Sequence, residues 1–347
     1  MRFRRTVRSA VVAVLAAGLA AGLAAPASAI VGGHRAQRNI AGIGALIYNH
    51  NNVPDWDTCG AHALNTGDDG TRWLVTAAHC VTVMPGPDST QVRSMSDDGK
   101  ARYDVFRRAA EKAGKHTGAL GFSPRPAPGM HSTPEDPATW RFAYGNVNRF
   151  EAKTAKVKRF IVPPEWAWGE KTESGDVWDQ AVIELEHPIR VEGALVAPVL
   201  PWAPVTIQGW GKETREPESW HGPLGPWLNE TDVRLTAHAQ CAGGIDAIGA
   251  DEVCLGQTPD RRGPCMGDSG GGGSQRLGPV RVLTMLVSRG LVATCGTASV
   301  ATALWAHGRW ILQQIHAADP QTRVATADPN LIRAAAPPAQ TEFALAG

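Results

Sequence analysis

The chain has 347 residues, with 34 Lys and Arg against 33 Asp and Glu, and 43% of its residues are hydrophobic. Charges balanced in this way provide no basic surface for nucleic acid or anionic lipid, so we expect neither as a partner. The 38 glycines and 25 prolines leave little helical periodicity before the C-terminal part, and short strands are therefore expected over most of the chain.

The first 29 residues have the pattern of a secretory signal peptide. Four arginines precede an apolar run over 10–25, and Ala27-Ser28-Ala29 is a small-residue cleavage site. The run is short and rich in Ala and Gly for a membrane span. Removal of residues 1–29 leaves about 318 residues with 30 basic and 33 acidic side chains. We expect a soluble, secreted, monomeric protein with no membrane attachment after this cleavage.

Strand patterns begin soon after the leader and recur in both halves of the chain. In the first half, short apolar or alternating runs bounded by turn residues cover 44–48, 60–64, 73–77, 140–146, 155–162 and 180–185. In the second half, similar runs cover 205–210, 231–237, 252–255 and 280–287. Many short strands separated by turns indicate barrels or sandwiches.

Three segments depart from the strand pattern. Residues 84–138 are polar and rich in Pro and Gly, which predicts a surface insertion with one short helix around 103–113. Residues 303–316 have the apolar face of a helix. The Ala/Pro-rich composition of 317–347 predicts a disordered tail. We therefore predict a first β half over 30–190 and a second over 191–316.

All six cysteines lie outside the leader, and an even number in an exported chain predicts disulfides. Six cysteines allow 15 pairings, so their number does not fix the connectivity. The sequence has no CxxC pair and no HExxH motif, so we expect no metal site, and we expect no cofactor. The six are Cys59, Cys80, Cys241, Cys254, Cys265 and Cys295.

Three local motifs occur in a fixed order along the chain. His79 ends the apolar segment TAAHC, Asp179 directly precedes the apolar run 180–185, and Ser269 is the serine of GDSGG. Asp176 is an alternative acid three residues earlier, but Asp179 is favoured because it adjoins the strand. Serine is a weak nucleophile that needs a neighbouring base, and histidine titrates near neutrality. The order His, Asp, Ser is that of the chymotrypsin barrels.

Over residues 30–316, apart from the insertion, the chain resembles the chymotrypsin- and trypsin-like serine peptidases. The resemblance implies an all-β fold of two six-stranded antiparallel Greek-key barrels with a C-terminal α-helix. It implies protein or peptide substrates and a catalytic triad of His79, Asp179 and Ser269. The amides of Gly267 and Ser269 would then stabilise the oxyanion, and each such donor is worth about 3 to 4 kcal/mol.

The resemblance also assigns a role to the predicted new N-terminus. Cleavage after residue 29 exposes Ile30, followed by Val-Gly-Gly, and in the family such an α-amine pairs with the Asp before the nucleophile, here Asp268. Signal peptidase would then create the active terminus with no separate propeptide. By the same analogy the disulfides would be Cys59–Cys80, Cys241–Cys254 and Cys265–Cys295.

Several residues near the expected substrate pocket depart from the family. Gly263 stands where trypsin-like members carry an acid, so we expect no preference for Lys or Arg and favour an apolar side chain. Ser288 and Gly290 match the substrate-binding strand, but Arg289 lies between them where Trp is usual. Gly272 follows GDSGG where Pro is common.

Two other functions compete with a peptidase. A binding protein on a catalytically impaired peptidase fold would have a misassembled triad or a cleft blocked by the insertion. An esterase using the same nucleophile is the second alternative. Its α/β-hydrolase form is excluded, because those enzymes place the Asp after the Ser in the chain, whereas Asp179 precedes Ser269.

Overall fold

The computed structural model describes residues 30–50, 53–67, 70–112, 129–220, 224–241, 248–292 and 294–337. The predicted signal peptide lies outside the described residues. The strands of this part of the chain are β1 (His34–Arg35), β2 (Ile43–His50), β3 (Val53–Ala63), β4 (Thr71–Thr76), β5 (Trp140–Tyr144), β6 (Lys153–Ile161), β7 (Ala181–Ile189), β8 (Leu195–Val196), β9 (Val205–Gly209), β10 (Asn229–Val233), β11 (Leu235–Thr236), β12 (Glu252–Leu255), β13 (Gly272–Leu277), β14 (Val280–Gly290) and β15 (Ser299–Ala303).

Helices lie between and after these strands. The α-helices are α1 (Thr90–Ser94), α2 (Asp97–Lys112), α3 (His238–Cys241), α4 (Gly308–Ala318) and α5 (Pro329–Ala335). Short 3-10 helices cover Ala78–Cys80, Pro137–Thr139, Pro217–Ser219 and Leu304–His307. None of the helices in the described residues is long and apolar enough to cross a bilayer.

The first β unit is a closed antiparallel barrel with the strand order β2-β3-β4-β7-β6-β5. Strand β4 pairs with β7 in the register Leu74 to Ile183 and Val75 to Val182. Leu74 and Ile183 fill the barrel interior, whereas Val75 and Val182 pack outward against the second unit. The alternation of side chains along a strand thus serves both surfaces, so the barrel wall is also the interface between the two halves.

The second β unit is a curled sheet in the order β1-β10-β9-β13-β14-β15-β12-β11, with β8 parallel to β14. The described hydrogen bonds close the first unit but leave this sheet a half-barrel. The prediction of a mostly β fold of the chymotrypsin type with a C-terminal helix is confirmed, while the second unit differs from a closed six-stranded barrel. Residues 30–35, assigned to the first half by sequence, lie with the second sheet, because β1 pairs with β10.

The insertion is more than a surface loop. Val92, Met95 and Tyr103 are buried in the core cluster of the first barrel, and α2 begins six residues before the predicted helix start. The prediction that residues 84–138 form a surface insertion is therefore wrong for these three side chains, which are part of the core. A few apolar residues spaced along a polar segment can bury one face of a helix even when the mean composition is polar. Residues 113–128 lie outside the described residues.

The predicted disordered tail is wrong for residues 317–337. Helix α5 begins with Pro329 after Asp328, whose side chain accepts a hydrogen bond from the Asn330 amide. Ile332 is buried in a cluster with Leu200, Leu277 and Val282 of the second unit. Composition failed here because one N-cap, one proline at the first helical position and one apolar anchor decide the local structure. Residues 338–347 lie outside the described residues.

Candidate active site

The imidazole of His79 and the carboxylate of Asp179 meet at the edge of the first barrel. His79 follows β4 on a 3-10 turn, and the disulfide Cys59–Cys80 ties that turn to β3. Asp179 lies two residues before β7, the strand paired with β4. The His79 Nδ1 atom is 2.8 Å from Oδ2 of Asp179, and the His79 amide donates to Oδ1 at 2.9 Å.

Asp179 is fully buried and is stabilised as a carboxylate. Burial alone would raise its pKa, but the charge on His79 and hydrogen bonds from His79 and Ser288 outweigh burial and lower it. The Ser288 hydroxyl donates to Oδ2 at 2.6 Å. An ionised Asp179 accepts the Nδ1–H of His79 and leaves Nε2 as the atom able to take a proton.

Ser269 joins the same network through Ser288. Its hydroxyl donates to the backbone carbonyl of Ser288 at 3.2 Å, while the Ser288 side chain donates to Asp179. Ser288 therefore links Ser269 to Asp179, while no hydrogen bond among the described residues joins Ser269 directly to His79. Rotation about the Cα–Cβ bond of Ser269 is the motion that would redirect its hydroxyl, and such hydrogen bonds commonly tighten only with substrate bound.

The loop before Ser269 leaves two amides without intramolecular acceptors. Gly267 has a φ of +98°, a conformation that favours glycine, and a side chain here would collide with Leu224. The carbonyl of Met266 accepts from the Lys212 amide at 2.7 Å, so the Gly267 N–H of the same trans peptide points the opposite way. Among the described residues, the amides of Gly267 and Ser269 donate to no acceptor.

The carboxylate of Asp268 is buried on the other side of this loop. Its Oδ1 accepts from the Gly211 amide and its Oδ2 from the Cys265 amide, both at 2.8 Å. A side chain at Gly209 or Gly211 would collide with the carboxylate, so two glycines make its site possible. Asp268 thus fixes the loop that carries the two unbonded amides.

The residues that follow the predicted cleavage site lie inside the second unit. Ile30 is fully buried in a cluster with Ile207 and Val287, and Val31 forms a bridge with Gly263. The bridge to Gly263 places this segment beside the chain that leads into the Ser269 loop. Its pairing with Asp268 stays a prediction.

Comparison with family models matches residues 134–311 to the trypsin family, just over half of the chain. The chain belongs to the trypsin family. The matched segment contains Asp179 and Ser269, while His79 lies before it, on the far side of the insertion. No curated protein matches the chain.

The three disulfides of this trypsin-family chain are Cys59–Cys80, Cys241–Cys254 and Cys265–Cys295, which are the pairs implied by the resemblance. The third holds the segment after β14 against the loop that precedes Ser269. Gly263 lies two residues before Cys265 in the chain. Because glycine has no side chain, no carboxylate lies at that position. The nearest atom to a Cβ built there is the Thr297 carbonyl oxygen at 3.9 Å, so the space beside Gly263 is open.

Arg289 of β14 stands where Trp is usual in the family, and its guanidinium contacts Glu252. Its side chain is buried and forms a two-pronged ion pair with the buried Glu252, with Nη2 at 3.0 Å from Oε2. The second contact joins Nη1 to Oε1. The Trp usual at this position is thus replaced by one partner of a buried ion pair.

Gly272, where the family commonly has Pro, is explained by a buried histidine. The Gly272 amide donates to Nε2 of His62 at 2.6 Å, and Nδ1 of His62 lies 2.6 Å from the Ala41 carbonyl oxygen. Proline has no N–H to donate, and a side chain at 272 would collide with Leu283 and His62. Burial lowers the pKa of His62 to about 4, partly offset by the hydrogen bond to Ala41, so the ring is neutral at pH 7.

Sequence reasoning missed the residues that hold Asp179 in place. Asp251 is buried and accepts the Val177 and Trp178 amides, each at 2.8 Å, immediately before Asp179. Nε2 of His307 is 2.9 Å from the same carboxylate, and the His307 ring stacks on Trp178 with centroids 3.4 Å apart. Trp178 has a φ of +61°, a strained conformation for a bulky residue that these contacts maintain.

The same cluster is the one set of side chains in the described residues that resembles a metal site without involving a disulfide. Ligand atoms of Asp176, Asp251 and His307 lie within 4.8 Å of one another. Asp251 already accepts two amides and contacts His307, so its carboxylate has hydrogen-bond partners within the protein. No sequence motif predicts this cluster, since Asp176, Asp251 and His307 lie at least 56 residues from one another in the chain.

Proposed function

We propose that this chain is a secreted serine endopeptidase that hydrolyses peptide bonds through an acyl-enzyme on Ser269. The observation that carries the proposal is the continuous network from His79 through Asp179 and Ser288 to Ser269. In the trypsin family a His, an Asp and a Ser in one site support acyl transfer, and here Asp179 and Ser288 are buried, where electrostatic interactions are strong.

The chemistry assigned to each residue follows from its contacts. Nε2 of His79 takes the Ser269 hydroxyl proton as the oxygen attacks the substrate carbonyl. Asp179, held as a carboxylate, stabilises the imidazolium that forms. The unbonded amides of Gly267 and Ser269 stabilise the oxyanion. The same imidazolium then protonates the leaving amine, and water repeats the sequence to release the acid.

Export and activation are proposed to be one event. Removal of residues 1–29 creates a free α-amine at Ile30, whose side chain already lies in the second unit. An ammonium at Ile30 would add a charge-assisted contact to the buried Asp268 carboxylate, which already accepts the Gly211 and Cys265 amides, and would so hold the oxyanion loop ordered. The disulfides fit an oxidising, extracellular location.

We propose that the primary pocket accepts an apolar side chain. The open space at Gly263 contains no acid to pair with a substrate Lys or Arg. Ser288 and Gly290 of β14 are proposed to bind the substrate main chain, as in the family.

A second candidate function is a binding protein with an impaired catalytic centre. It is favoured by two observations: the Ser269 hydroxyl donates to the Ser288 carbonyl, and the His79 side chain is only 10% exposed. Such a protein would bind peptides without cleaving them.

Fluorophosphonate labelling of the signal-cleaved protein distinguishes these candidates. We expect rapid labelling of the native protein, none of Ser269→Ala, and cleavage of unfolded protein substrates by the native form alone. An unlabelled native protein that still binds peptides would favour the binding function. Labelling that persists in Ser269→Ala would remove the nucleophile assignment.

Two further measurements separate the finer parts of the proposal. A protein with one extra residue before Ile30 should label poorly, and equal labelling would contradict activation by signal peptidase. A peptide-library cleavage profile should favour apolar side chains at the residue before the scissile bond. A strong preference for Lys or Arg at that residue would contradict the pocket assignment.

A further inference from the structure

The insertion places an aromatic side chain directly on the candidate catalytic base. The ring of Phe106, on helix α2, lies 4.9 Å from the His79 ring, with a 46° angle between the planes. Trp168 meets Phe106 edge-on at 5.3 Å and His79 at 6.3 Å. Carbon atoms in contact are about 3.5–4 Å apart, so no further side chain fits between Phe106 and the imidazole. The two aromatics form a wall on one face of His79.

Helix α2 is held firmly within one turn of Phe106. The buried side chain of Arg102 donates Nε to the Gly169 carbonyl at 2.7 Å, and the buried Tyr103 hydroxyl donates to the Pro85 carbonyl at 2.6 Å. Tyr103 and Phe106 are three residues apart and therefore share a face of the helix. At the start of the helix, Glu170 accepts the Ser96 amide at 2.9 Å. These contacts fix Phe106 in position, so it cannot be treated as a loose surface group.

The helix also lies beside the strand proposed to bind substrate. Cα atoms of α2 come within 8 Å of those in β14 and in the 3-10 helix Pro217–Ser219 of the second unit. Successive side chains of an extended substrate on β14 point to opposite sides. If the residue before the scissile bond enters the open space at Gly263, the residue preceding it faces the other way, toward His79 and Phe106.

We propose that Phe106, supported from behind by the buried Trp168, is a specificity-determining wall that admits only a small side chain at the second residue before the scissile bond. The substrates are then extended peptide segments with Gly or Ala at that position. A larger side chain must displace a ring held by two aromatic contacts and an anchored helix. This inference rests on the proposed peptidase function and deepens it.

The test compares signal-cleaved native protein with Phe106→Ala, Phe106→Leu and the control Phe150→Ala, on peptides that differ only at the second residue before the scissile bond. Phe150 is 60% exposed and contacts Arg149 rather than the site. We expect native kcat/KM to favour Gly or Ala over Leu or Phe by at least about tenfold. Phe106→Ala should raise kcat/KM for the bulky peptides by about 10- to 100-fold, Phe106→Leu by less, and Phe150→Ala not at all.

Labelling by a small fluorophosphonate, which lacks the second residue, separates the two proposals. Its rate should be alike in the native protein and in Phe150→Ala, and equal thermal unfolding temperatures of all four proteins would show that the variants fold. A native protein that is not labelled overturns the peptidase function itself. A labelled native protein that accepts Leu as well as Ala, or a Phe106→Ala profile identical to the native one, overturns the wall and leaves the peptidase intact.

Discussion

The loop that carries Ser269 and the strands behind it differ in where their polar groups find partners. In the loop, two of these partners are close in sequence: Asp268 accepts the Cys265 amide three residues away, and the Gly271 amide donates to the Asp268 carbonyl. The same carboxylate also accepts the Gly211 amide, 57 residues away. On β13 and β14, Gly272 bonds to His62 across 210 residues, and Arg289 pairs with Glu252 across 37. The loop thus follows the family motif, whereas Gly272 and Arg289 depart from the family together with partners that are distant in sequence and that only the fold brings together.

The largest expected effect concerns the acid, where Asp179→Asn tests the local motif. Asparagine would hold His79 in the wrong tautomer, so kcat should fall by about 10⁴-fold with little change in stability. The matched control is Asp176→Asn, three residues earlier on the same loop, which should retain activity within a fewfold. Steady-state hydrolysis of a peptide substrate by both variants measures the difference, and equal losses would contradict the choice of acid.

Breaking the buried ion pair tests the first of the distant pairs. Arg289→Met leaves Glu252 charged and buried without its partner, so we expect a loss of about 3–5 kcal/mol in the free energy of unfolding. Replacing both residues with apolar ones, as Arg289→Met with Glu252→Leu, should recover most of this loss. Denaturant unfolding in a Ser269→Ala background, which prevents self-digestion, measures both. A double variant as unstable as the single one would contradict the pairing.

The buried histidine gives a pH dependence with a definite sign. Because the pKa of His62 is about 4 in the folded protein and about 6.5 when unfolded, the unfolded chain binds more protons between these values. Stability should therefore fall as the pH drops from about 6.5 to about 4, by up to about 3 kcal/mol from this group. His62→Gln, which does not titrate, should flatten the slope in this window. An unchanged slope would show that His62 is not buried as a neutral ring.

The smallest effect is expected where a distant acid positions a local one. Asp251→Asn weakens the grip on the Val177 and Trp178 amides, and we expect kcat to fall by about tenfold while KM changes little. Asp232→Asn, which removes only an exposed hydrogen bond to Thr206, is the control. A change confined to KM, or none, would show that the Asp251 cluster stabilises the fold without positioning Asp179.

The sequence was sufficient for the parts of the molecule that carry a local signature. His79 and Asp179 lie 100 residues apart yet each is marked by its own short motif, and the resemblance joined them before the contact was seen. Gly272 and Arg289 were noted only as departures, because nothing in their neighbourhood points to His62 or Glu252. Helix α5 and the buried face of α2 were missed for a related reason: a polar or Ala/Pro-rich average hides the single residue, Ile332 or Tyr103, that anchors the segment.

The central claim is that the Ser269 hydroxyl oxygen forms a covalent bond to the acyl group of the substrate. Intact-mass measurement of the signal-cleaved protein, quenched with acid shortly after mixing with an activated peptide ester, detects the acyl-enzyme directly. We predict one added acyl group, mapped to the peptide that contains Ser269 and absent from Ser269→Ala. Turnover of the ester without any adduct on Ser269, or with the adduct on another residue, would contradict the assignment of Ser269 as the nucleophile.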